Sequence, residues 1–208
     1  MKLDRPSREG ESLEDRSVIS FLRGLWLAET GPRGADVYVF LIGGARSGKS
    51  SLATKLAHRS GTEVNVVVTG EASDPEMAER IRRHRAERPV EWRVIEAPID
   101  LTDALGRVED RSFLVLDCLT LWVANLMAAG REESAIVETA GEVSAVLAHR
   151  GGDGVVVSNE VGSGVVPMSP LARAYRDTLG RVNARFADAA ARSVLVVAGR
   201  TVDLARYV

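Results

Sequence analysis

A chain of 208 residues with a formal net charge of −2 is long enough for one α/β domain with a substantial core, and it lacks the basic surplus of a sequence-independent nucleic-acid binder. Its single cysteine, Cys118, excludes an internal disulfide and a multi-cysteine metal site, and fits a reducing cytoplasm. No apolar run reaches the roughly 18 residues of a membrane-spanning helix, and the acidic residues ahead of the first weak apolar cluster do not read as a secretory leader.

Residues 1–35 form an N-terminal extension that is polar and shows no strand. Val18, Phe21, Leu22, Leu25 and Trp26 are spaced for one amphipathic helix, and Glu29 to Gly34 reads as a linker. Two readings stand: a loosely packed appendage, or a partner contact through Phe21, Leu25 and Trp26. Residues 36–208 then alternate strand and helix as one domain. Val37 to Ile42 predicts a buried strand, and Ser50 to Ala57 predicts a helix. Between them Gly43, Gly44, Ala45, Arg46, Ser47, Gly48, Lys49 and Ser50 fit the phosphate-binding P-loop pattern in the strand–loop–helix setting that its chemistry requires. The glycines let backbone N–H groups point inward at a polyphosphate, and the helix N-terminus adds positive potential. Lys49 suits the outer phosphates, and Ser50 suits magnesium. The only other lysines are Lys2 and Lys55, so a lysine at this position is informative.

Val64 to Thr69 predicts a second strand. Asp74-Pro75-Glu76 starts a helix well, with a capping Asp, a Pro suited to the first turn and a Glu at the positive end. That helix is expected to run to about Arg85 and stop before Pro89. It carries His84 among Arg80, Arg82, Arg83, Arg85 and Arg88. A neutral imidazole is a competent nucleophile near neutral pH, and arginines bind phosphate in a bidentate way. A solvated basic face with an incidental histidine fits the same spacing.

Glu91 to Ala97 predicts a third strand and Leu101 to Val108 a short helix. Phe113 to Asp117 predicts a fourth, fully buried strand. Asp117 ends it as the carboxylate of a Walker B segment does, and with Ser50 it is the candidate magnesium ligand. Helices are expected over Thr120 to Ala129 and Ser134 to Arg150, and a fifth strand over Gly154 to Ser158. The glycine-rich loop that follows presents Glu160, suited to accept a substrate proton or to help order magnesium; a plain connecting loop fits as well. Leu171 to Ala190 predicts a long helix and Ser193 to Ala198 a sixth strand. Continuous apolar strands joined by helices imply a mostly parallel sheet covered on both faces, with ligands beyond the strand C-terminal ends.

Several segments, in order, resemble one family. They are the P-loop octapeptide; His84-Arg85 with Arg88-Pro89 and Trp92-Arg93; Asp117-Cys118-Leu119-Thr120 with Asn125-Leu126; Asn159-Glu160-Val161-Gly162 with Gly164-Val165-Val166-Pro167; and Arg176-Asp177 with Gly180-Arg181-Val182-Asn183. The chain is similar in these to the bifunctional adenosylcobinamide kinase / adenosylcobinamide-phosphate guanylyltransferases of cobalamin biosynthesis. The resemblance implies a RecA-like P-loop fold assembled as a homotrimer in the cytoplasm. It implies adenosylcobinamide and adenosylcobinamide phosphate as substrates, ATP or GTP as phosphate donor, GTP as guanylyl donor, and Mg2+. Lys49, Glu160 and His84 are then the expected catalytic residues, with His84 guanylylated. Arg83-His84 stands where many members carry two consecutive histidines, which leaves His84 as the only such nucleophile there. By family position Thr69, Gly70, Glu71, Arg85, Ala86, Glu87, Arg88, Glu96 and Asp117 join the P-loop in lining the nucleotide site. A P-loop kinase of another small hydroxyl substrate, without a histidine adduct, or a RecA-like nucleotide-switched module are the competing readings.

Overall fold

The computed structural model describes residues 38–71, 75–86 and 88–204; the predicted N-terminal helix around Phe21 and Trp26 lies outside them. Seven strands form one sheet: β1 (Tyr38–Gly43), β2 (Val64–Val68), β3 (Arg93–Glu96), β4 (Phe113–Asp117), β5 (Gly154–Asn159), β6 (Arg192–Val197) and β7 (Arg200–Leu204). Their order is β3-β2-β4-β5-β1-β6-β7. All neighbours run parallel except β6 and β7. β5 alone separates the P-loop strand β1 from β4, which ends in Asp117. The chain therefore has the mostly parallel sheet expected from its apolar strands, in the RecA-like P-loop architecture that the family resemblance implied.

Six helices connect these strands: α1 (Lys49–Arg59), α2 (Pro75–Ala86), α3 (Leu101–Gly106), α4 (Leu119–Ala128), α5 (Glu133–His149) and α6 (Pro170–Ala189). Strand side chains alternate in direction, so each continuous apolar strand supplies two buried faces. Tyr38, Phe40, Val67, Leu114, Leu116 and Val156 share one core with Trp122 of α4, Ile136 of α5 and Phe186 of α6. The intervening residues Val66, Val115 and Val155 are equally buried on the other face, where α1 packs across β1, β4 and β5 through Leu52, Ala53 and Leu56. Most polar groups that enter the core are paired, although Asn65 Oδ1 and Thr178 Oγ1 are buried without a hydrogen-bond partner among the described residues. The Tyr38 hydroxyl donates to the Phe186 carbonyl at 2.6 Å, and burial together with Asp188 pushes its phenol far above the ordinary range.

Two helix starts follow their sequence signals. Asp100 caps α3 by accepting from the Asp103 amide at 2.9 Å, and Ser169 caps α6, which has Pro170 at its first position. Two elements fall two residues short of their predicted bounds at one end, and one strand was not predicted. β3 begins at Arg93, because the Trp92 amide donates to the Pro89 carbonyl at 3.2 Å and closes a turn there. α3 stops at Gly106, with Arg107 as its cap. β7 was not predicted at all. It returns antiparallel from β6 through Ala198 and Gly199, whose φ angles of 50° and 72° make a two-residue hairpin turn. Ala-Gly lacks the usual Asn-Gly signature, and every residue of β7 is exposed, so no alternation marks the strand.

Candidate active site

The candidate residues converge on the C-terminal edge of the sheet. Gly43 ends β1, and Asn159 ends β5 beside it. Asp117 ends β4, level with Val68 of β2, which is itself level with Glu96 of β3. Side-chain amides and hydroxyls stitch these strand ends together. The Thr69 hydroxyl donates to the Cys118 carbonyl at 2.6 Å and accepts from the Cys118 amide at 3.0 Å. Asn125 Nδ2 donates to the carbonyls of Thr69 and Pro98, at 2.8 and 3.0 Å. Thr120 Oγ1 accepts from the Asn159 amide at 2.9 Å, and Asn183 Nδ2 donates to the Asn159 carbonyl at 3.1 Å. Thr120, Asn125 and Asn183 stand in the motif segments that carry the family resemblance. Their role is to satisfy buried backbone groups exactly where the strands stop bonding to one another, which fixes the edge.

The P-loop leaves β1 and turns into α1 with Gly48 at φ 104°, a conformation that a side chain rarely adopts. Lys49 is only 6% exposed. Its Nζ lies in the loop, donating to the Gly44 carbonyl at 2.7 Å and the Ser47 hydroxyl at 3.3 Å. Ser50 is the second residue of α1. A Cβ on Gly43 would collide with the backbone carbonyl of Val196 in β6. Gly43→Ala is therefore expected to push the loop off β6, lowering stability by about 2 kcal/mol and weakening nucleotide binding. A thermal melt with and without MgGTP checks both; an unchanged melt would mean the contact yields freely.

α2 lies at the same edge. Ile81 packs against Gly70, where an added Cβ would lie 3.5 Å from Ile81 Cδ1. Arg85 pairs with Glu96 at 2.7 Å, both side chains well exposed, and Arg88 reaches Asp117 at 3.5 Å with both largely buried. The exposed pair contributes ~0–1 kcal/mol, whereas losing one member of the shielded pair costs more, because the other charge stays partly desolvated. The predicted residues Arg85, Ala86, Arg88, Glu96, Asp117, Thr69, Gly70 and Glu71 thus belong to one neighbourhood. His84 lies on α2 directly before Arg85; its side chain, and Glu87, lie outside the described residues. The other two histidines are elsewhere. His58 packs against Trp92 with ring centroids 4.8 Å apart, beside the start of β2, and His149 bonds the Ala145 carbonyl on α5.

Glu160 follows β5, and its amide donates to the Gly43 carbonyl at 3.0 Å, so this loop starts against the P-loop. Burial raises the Glu160 carboxyl, but donors from Ser163 and the backbone of Gly162 and Ser163 outweigh it and leave the group below its ordinary value. Gly162 and Ser163 amides donate to its two oxygens at 2.6 and 3.1 Å. Glu160 is thus an ionised group held by its own loop.

Cys118 follows Asp117 directly. Burial, then the Asp117 charge, push its thiol up to about 11, despite hydrogen bonds from Leu121 and Thr120. At pH 8 the thiolate is scarce, so alkylation of the native protein is expected to be at least about tenfold slower than that of the unfolded chain. Equal rates of iodoacetamide labelling in the two states would contradict this placement.

No group of three or more His, Cys, Asp or Glu side chains that could hold a metal ion occurs among the described residues. No helix among them is long and apolar enough to cross a membrane.

Comparison with known proteins shows the family. A family described as cobinamide kinase / cobinamide phosphate guanyltransferase matches residues 39–204. The bifunctional adenosylcobalamin biosynthesis protein CobP of Pseudomonas aeruginosa is 40% identical over 171 residues, covering 79% of this chain and 95% of that protein. The corresponding CobU proteins are 36% identical over 174 residues in Escherichia coli and 38% identical over 175 in Salmonella typhimurium, each covering 77% of this chain and 96% of the relative. Among solved structures, the RadB recombinase aligns with a TM-score of 0.47 at 20% identity, covering 84% of this chain and 79% of that one.

Proposed function

This chain belongs to the cobinamide kinase / cobinamide phosphate guanyltransferase family, and from that premise we propose that it carries out both reactions at the edge formed by the P-loop, Asp117 and α2. The observation that carries the reading is the pairing of Arg85 on α2 with Glu96, and of Arg88 just after α2 with Asp117, at the strand ends next to the phosphate cradle.

In the first reaction the aminopropanol hydroxyl of adenosylcobinamide attacks the γ-phosphorus of ATP or GTP. An O–P bond forms, the bond to the β-phosphate oxygen breaks, and the nucleoside diphosphate leaves. Glu160, ionised at neutral pH, takes the hydroxyl proton directly or through water. Loop N–H groups and Lys49 hold the transferring charge.

In the second reaction an imidazole nitrogen of His84 attacks the α-phosphorus of GTP. A P–N bond forms and pyrophosphate leaves, with the P-loop taking up its charge. A phosphate oxygen of adenosylcobinamide phosphate then attacks the same phosphorus. The P–N bond breaks, His84 is regenerated, and adenosylcobinamide-GDP is released. In this reading Thr69, Gly70, Glu71, Arg85, Ala86, Glu87, Arg88 and Glu96 line the nucleotide.

Ser50 and Asp117 offer the hard oxygen donors that suit Mg2+, with the triphosphate and water supplying its other ligands. When bound there, the ion would neutralise phosphate charge. The enzyme is proposed to work in the cytoplasm as a homotrimer, which light scattering checks.

The direct test is to incubate the protein with adenosylcobinamide, MgATP and MgGTP and follow products by mass spectrometry. Successive appearance of adenosylcobinamide phosphate and adenosylcobinamide-GDP is expected. Accumulation of the first alone would reduce the assignment to a kinase, and conversion to neither would overturn it.

A further inference from the structure

We infer that Gly199, in the turn between β6 and β7, is a positioning residue for the phosphate cradle; this rests on the P-loop reading above. The Gly199 amide donates to the carbonyl of Ser47 at 2.8 Å, across 152 positions of chain and from a hairpin outside the motif segments. The two backbones also touch: a Cβ on Gly48 would lie 3.4 Å from Gly199 Cα. The Ser47 carbonyl and the Gly48 amide share one planar trans peptide, in which C=O and N–H point in opposite directions. Holding the Ser47 carbonyl outward against the hairpin therefore turns the Gly48 N–H the other way, into the cradle. A phosphate then meets a donor already aligned, without the cost of ordering it on binding.

The turn reaches the loop only because Ala198 and Gly199 both take left-handed φ angles, 50° and 72°. Space does not constrain position 199, since an added Cβ there would meet nothing within 4 Å. Backbone conformation and the donor are what matter. Asparagine tolerates this conformation and keeps its N–H, whereas a β-branched residue does not fit it and proline supplies neither.

MgGTP affinity, measured by calorimetry on the full chain, separates these cases. Gly199→Asn is expected to stay within about threefold of wild type, while Gly199→Val and Gly199→Pro raise Kd about tenfold or more, the effect of misaligning one charge-assisted donor. Turnover at saturating GTP should fall much less than kcat/KM. Val202→Ala, on exposed β7, weakens the hairpin without touching the donor and should leave Kd within twofold. Wild-type affinity in folded Gly199→Val, equal losses in the Asn and Val variants, or an equal loss in Val202→Ala would each overturn the inference. A wild-type protein that binds no MgGTP would sink the P-loop reading itself, and this inference with it.

Discussion

Lys49→Ala is expected to lower kcat/KM of both half-reactions by about 10²–10³-fold, the usual cost of deleting one preorganised charge-stabilising group. The reason is local. Lys49 is the one lysine in the cradle, almost fully buried, with its ammonium held over the loop by the Gly44 carbonyl and the Ser47 hydroxyl. Those partners hold it in the loop, where a phosphate arrives. The first reaction needs that charge on the transferring phosphoryl group, and the second needs it on the departing pyrophosphate. One substitution should therefore damage both. The fold should survive, because α1 is anchored by Leu52, Ala53, Leu56 and Ala57. Unchanged circular dichroism with both activities lost is the expected result. Full kinase turnover in the variant would contradict the role given to the loop.

His84→Ala is expected to separate the two activities. Guanylyl transfer should fall at least about 10³-fold, since without a nucleophile the covalent route is closed. Phosphorylation of the aminopropanol hydroxyl, which does not use the imidazole, should stay within about threefold. The variant should accumulate adenosylcobinamide phosphate when given both nucleotides. Equal loss of both activities would point to α2 as a purely architectural element. Such a result would also shift weight to Arg85 on α2 and Arg88 just after it, which reach the strand ends.

Much of this was legible in the chain itself. The P-loop, the apolar strand ending in Asp117 and the alternation of strand with helix are local signals, written in neighbouring residues. They sufficed for the parallel sheet and for gathering the candidate residues at one edge of it. The ordered set of short motifs reached further and named the family, which spacing alone did not. What stayed hidden depends on contacts distant in sequence. Nothing local says that Arg88 meets Asp117, that Asn125 bridges Thr69 and Pro98, or that Gly199 backs Ser47. β7 was missed because a fully exposed edge strand needs no apolar alternation. Glu91 and Trp92 were read into β3 because Trp92 is apolar, although it is buried in the turn that precedes the strand.

The measurement closest to the central claim is covalent labelling with GTP carrying isotope at the α-phosphorus, in the presence of magnesium and without a cobinamide acceptor. The account predicts one acid-labile, base-stable adduct per active chain, located by peptide mass spectrometry on His84, absent from His84→Ala and discharged by adenosylcobinamide phosphate. Undiminished label in His84→Ala, or an adduct that the acceptor does not discharge, would contradict it.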